Sequence, residues 1–69
     1  MEILVFRTDL QNRKSVHAVT PHLERIEGIM RWNVDLQDVD KVLRVESVSA
    51  SAQTIAQSLN SAGYYCEEL

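Results

Sequence analysis

Residues 8–21 read T-D-L-Q-N-R-K-S-V-H-A-V-T-P, and the change of pattern inside this stretch decides the architecture. Just before it, residues 2–7 (E-I-L-V-F-R) are mostly β-branched, aliphatic or aromatic. They are too few for a helix and are followed by a polar loop over residues 9–14, so they read as a strand. Inside and beyond the stretch, Val16, Val19, Leu23 and Ile26 recur at spacings of three and four. That spacing lines one face of a helix, and Gly28 follows as its terminator. Pro21 falls within this helix and has no N–H for the carbonyl of His17, so a kink is expected between His17 and Pro21.

Further along the chain, residues 29–36 and 41–48 are both rich in strand formers, and the polar Q-D-V-D between them is short enough to close a hairpin. Trp32, Val34 and Leu36 alternate onto one face, matched by Leu43 and Val45. Ala52, Ile55, Ala56, Leu59 and Ala62 form a second helical stripe, with Ser49 or Ser51 available as N-cap and Gly63 at the C-terminal end. Residues 64–67 are expected as a fourth strand. This order defines an α+β, ferredoxin-like βαββαβ fold: a four-stranded antiparallel sheet with both helices on one face, in a single domain over residues 1–69.

A chain of 69 residues buries only a small core, so extra burial by self-association or against a protein partner is an expectation of its size. Its apolar content of 45% sets it apart from disordered chains. The formal charge of -3 argues against nucleic acid as a partner, because nonspecific affinity comes from cations that displace counterions from phosphate. The apolar run near the N-terminus is too short for a signal sequence or a membrane span. The lone cysteine, Cys66, cannot form an internal disulfide. A complete cytoplasmic protein is therefore expected.

Several features together resemble the heavy-metal-associated domain family, the copper-chaperone-like fold, along nearly the whole chain. They are Phe6-Arg7-Thr8 at the strand end, Leu10 in the loop, Val19-Thr20-Pro21 and Leu23 in the helix, and the Gly28-Ile29 exit. Val34-Asp35-Leu36, the run K-V-L-R-V-E from Lys41 to Glu46, and Ala62-Gly63-Tyr64 complete the likeness. In that family two cysteines of a C-x-x-C motif flank the start of the first helix and bind a soft ion. The resemblance places those positions on Asn12 and Ser15. An amide and a hydroxyl are weak, hard donors beside two thiolates, so the resemblance implies the fold rather than metal transport. The residue types themselves suit a capping role, because Asn and Ser oxygens accept from the unpaired N–H groups of a helix start.

Other side chains offer chemistry with a plainer reading beside it. His17 and His22 are five apart, whereas a helical two-histidine metal site prefers a spacing of four, so unremarkable surface histidines are the alternative. Cys66 reads as a small core residue, with metal ligation the sharper alternative. Asp35, Asp38 and Asp40 lack the glycine and distal glutamate of a calcium loop and read as turn residues. Arg13 and Lys14 at a helix start form a candidate anion site or a solvated charge pair. On the sheet face away from the helices, Ile3, Val5, Val42 and Tyr65 form a candidate interaction face or scattered surface apolar residues.

No nucleophile sits with an identifiable histidine and acid signature, so no enzyme is expected, and no cofactor. The leading expectation is a noncatalytic binding or interaction module without strong soft-metal binding. Divergent metal handling through Cys66 or the histidines is one alternative. A small-molecule or anion-binding regulatory domain is another, since this fold hosts unrelated sites.

Overall fold

A computed structural model describes residues 1–69. The elements run β1 (Glu2–Thr8), α1 (Arg13–Glu24), β2 (Ile29–Asp35), β3 (Val42–Ser47), α2 (Ala52–Ser61) and β4 (Cys66–Glu68), the order read from the sequence. The sheet is antiparallel in the order β2-β3-β1-β4. β2 and β4 are therefore the two edges.

The core lies between the helices and one face of the sheet. Phe6, Leu43 and Val45 from the sheet meet Val19 and Leu23 of α1 and Ile55 and Leu59 of α2, all essentially inaccessible to water. Leu10 joins them from the loop before α1. Trp32 and Val34 share this face but are only half-buried, because β2 is an edge strand that the helices cover incompletely.

Helix ends follow the local chemistry. Ser51, rather than Ser49, caps α2, its side chain accepting from the Thr54 N–H at 3.1 Å. At the other end Gly63, at φ +94°, donates to the Asn60 carbonyl and Tyr64 to that of Leu59, each at 3.0 Å, which forms a Schellman stop. This stop, together with a bond from the Tyr65 N–H to Asp9 Oδ1, occupies the two tyrosines. The last strand consequently starts at Cys66 instead of residue 64.

Helix α1 runs without interruption from Arg13 to Glu24, with Pro21 inside it. Proline removes one helical donor, and His17 and Pro21 are both exposed, so water can reach the carbonyl left over. Gly28 ends the turn after α1 at φ +94°. Its carbonyl accepts from the Val48 N–H at 2.7 Å, which brings the start of β2 against the segment after β3.

Candidate functional site

The loop between β1 and α1 is held from below by buried polar groups. Thr8, almost fully buried, donates its hydroxyl to the Lys41 carbonyl at 2.6 Å and accepts from the Leu10 N–H at 3.2 Å. The Thr8 N–H also donates to the Asp40 carbonyl at 3.0 Å. Asp9 accepts from Tyr65, as above, so the same loop is tied to the β2–β3 turn on one side and to the residue just before β4 on the other. Sequence reading gave Thr8 no role, and a buried threonine at a strand end is the only signal it carries.

At the top of this loop, Asn12 and Ser15 form a reciprocal capping box. The Asn12 side-chain oxygen accepts from the Ser15 N–H at 2.9 Å, and the Ser15 hydroxyl oxygen accepts from the Asn12 N–H at 3.2 Å. The same hydroxyl donates to the Asn12 carbonyl at 2.8 Å. Both side chains are thus engaged with backbone, and the remaining Asn12 group is an amide nitrogen, a donor that cannot ligate a cation.

Arg13 and Lys14 follow in the first turn of α1, both exposed and outside the ion pairs of the molecule. His17 is exposed and His22 half-buried on the same helix. Five residues at about 100° each place them about 140° apart around its axis. No three His, Cys, Asp or Glu side chains gather in a way that would hold a metal ion.

Cys66 pairs with Thr8 across β4 and β1, at the root of the candidate loop, and is buried. Burial, and secondarily the negative charge of Asp9, pushes its thiol pKa up to about 12. The thiolate that a soft metal requires is disfavoured there.

On the open sheet face, Ile3 and Tyr65 are exposed and Val5 and Val42 half-buried. The strand register interleaves them with polar groups: Ile3 stands beside Glu46, Val5 beside Arg44 and Val42 beside Asp35. Arg7 pairs with Asp40 at 3.4 Å and Glu67 at 3.8 Å. Tyr65 donates its hydroxyl to Glu67 at 2.8 Å, a bond that raises the phenol's pKa. Asp35 and Asp38 each accept from a backbone N–H two residues on, Gln37 and Asp40 respectively, as turn residues do.

A second feature lies elsewhere. An open groove of about 460 Å³ runs between the end of α1 and β2, floored by Leu23, Ile26, Ile29, Met30 and Trp32. Sequence patterning placed Trp32 in the core and so missed this groove. The edge position of β2, which follows from the strand order, was the signal.

No protein-family model matches the chain, and no curated protein matches it. Solved structures do. The N-terminal domain of PacS from Synechocystis matches over 100% of this chain and 98% of its own, with a TM-score of 0.82 at 11% identity. A yeast copper transporter domain, determined in apo and Cu(I)-loaded states, matches over 100% of this chain and 96% of its own, with a TM-score of 0.85 at 15% identity. The apo HMA domain of the copper chaperone for superoxide dismutase gives a TM-score of 0.77 at 21% identity, over 97% of this chain and 65% of that one. Likeness at these identities concerns the fold. This chain has the heavy-metal-associated, ferredoxin-like fold that its residues resembled, and it carries one cysteine.

Proposed function

We propose that this chain is a small noncatalytic interaction module, acting in the cytoplasm, whose former metal-binding positions now serve as a helix cap. The reciprocal bonding of Asn12 and Ser15 to each other's backbone supports this reading above all else. Thiolates at those positions would face a soft ion. The oxygens found there face the amides of the helix start instead. Cys66 does not replace them, because its protonated thiol lies in the core. Proteins with this fold include a copper chaperone domain and a copper transporter domain, but the donor chemistry of this chain differs at the residues that matter.

Titration of the reduced protein with Cu(I) and Zn(II) against a chelator of known affinity, read by native mass spectrometry, tests the proposal. The expected result is apoprotein throughout. Stoichiometric metal retained against the chelator would overturn it.

A further inference from the structure

Strand β2 presents an unpaired edge whose regular part is short and internally symmetric. Its register against β3 slips between Ile29 and Arg31, so regular pairing runs from Arg31 to Asp35, through Trp32, Asn33 and Val34. None of residues 31–34 makes a backbone hydrogen bond outside regular secondary structure, which leaves the outward-pointing amides and carbonyls of this edge for another strand. Asn33 is the midpoint of the segment. Two residues to one side stands Arg31 and two to the other Asp35, both on the open sheet face; Trp32 and Val34 flank it on the helix face.

We propose that this edge pairs with a second copy of itself, antiparallel and centred on Asn33, to make one continuous sheet across a twofold axis. Only that register uses the whole regular segment. It also sets Arg31 opposite the partner's Asp35, twice by symmetry, and Trp32 opposite the partner's Val34. Pairing one step of two residues to one side would put Trp32 on Trp32, and to the other would put Asn33 on Asp35; neither brings opposite charges together. A twofold axis perpendicular to the sheet keeps both pairs of helices on the same side. Trp32, the groove residue nearest the axis, then packs beside the partner's Val34, which withdraws apolar surface that the monomer leaves open. Arg31 is well exposed and bonds Glu46 at 2.9 Å, so that carboxylate holds the guanidinium on the face where the partner's Asp35 arrives.

A seam of five residues is small beside the ~1,200 Å² of a stable interface, so the dimer is weak and dissociates on dilution. This inference deepens the reading of the chain as an interaction module by naming the partner. It does not depend on the metal question, and sedimentation and metal titration fail separately.

The test is sedimentation velocity of the full chain over a concentration series, with Arg31→Asp and Asp35→Arg variants. Both substitutions are at exposed positions, and circular dichroism verifies that each variant is folded. The wild type is expected to dimerise reversibly. Each variant alone sets like charges opposite one another twice, and its dimer is expected to be weaker by ~10-fold or more. Mixed in equal amounts, the two variants restore two Arg–Asp pairs and are expected to form a heterodimer. A wild type that stays monomeric to its solubility limit overturns the proposal, as do single variants that dimerise like the wild type. Variants that stay monomeric when mixed overturn the assigned register.

Discussion

The Thr8 hydroxyl donates to the Lys41 carbonyl at 2.6 Å, and this bond fastens the loop before α1 to the turn between β2 and β3. Lys41 sits at φ 46°, the one non-glycine residue in the left-handed region, so the turn is held in a conformation it would not readily take alone. The same threonine oxygen accepts from the Leu10 N–H. Thr8→Val keeps shape and burial but deprives both backbone groups of their partner. A loss of about 1–3 kcal/mol is expected in urea unfolding, with Thr8→Ser retaining most of the stability.

The capping box makes a coupled pair of Asn12 and Ser15. Each single change to alanine is expected to cost about 0.5–2 kcal/mol. Because each residue caps the other, the double variant should lose less than the sum of the singles, and urea unfolding of the four-member cycle measures the coupling.

Cysteines in place of both residues, Asn12→Cys with Ser15→Cys, replace two hard oxygens by two thiols at the start of an N-terminal helical turn, where thiolates are favoured. The expected outcome is one Cu(I) per chain held against a chelator that leaves the wild type metal-free. Failure to gain binding would show that the two positions do not correspond to the ligand positions of the resembled family.

Two glycines share φ +94° but differ in surroundings. A Cβ on Gly28 would collide with the Ser49 hydroxyl oxygen and come within 2.7 Å of the Ala50 amide nitrogen, whereas one on Gly63 meets nothing within 4 Å. Gly63→Ala is expected to cost only backbone strain, about 1–2 kcal/mol. Gly28→Ala adds a collision with backbone and should lower the thermal midpoint distinctly further.

Cys66 gives a pH signature in the alkaline range. Burial raises its pKa in the folded chain from 9.0 to about 12, so between these values the unfolded chain gives up this proton while the folded chain keeps it. The unfolded state then binds fewer protons, and stability falls as pH rises from about 9 towards 12. Below pH 9 the contribution is complete. The measurement is urea stability against pH for wild type and Cys66→Ala, with a shallower alkaline decline expected in the variant. In the folded wild type the thiol should also react slowly with iodoacetamide at pH 8, and quickly in urea.

Element order was legible in the chain because it depends on local signals: the three-and-four spacing from Val16 to Ile26, the alternation around Leu43, the glycines after each helix. Boundaries at β4 were less so, since the bond from Tyr65 to Asp9 joins residues 56 apart and no window of sequence contains both. That α1 continues past Pro21 to Glu24 was not legible either, because solvent access at that turn is a property of the packed molecule.

The βαββαβ order, the oxygen donors at Asn12 and Ser15, and the fit of both residues to a helix start follow from residue type and short-range spacing, which are covalent facts. Packing was needed to show that Thr8 anchors the loop to Lys41, that the Cys66 thiol lies buried near Asp9, and that Arg31 and Asp35 flank Asn33 on an unpaired edge. Those relationships arise from strand order and burial, which bring together residues far apart in the chain and set the dielectric around them.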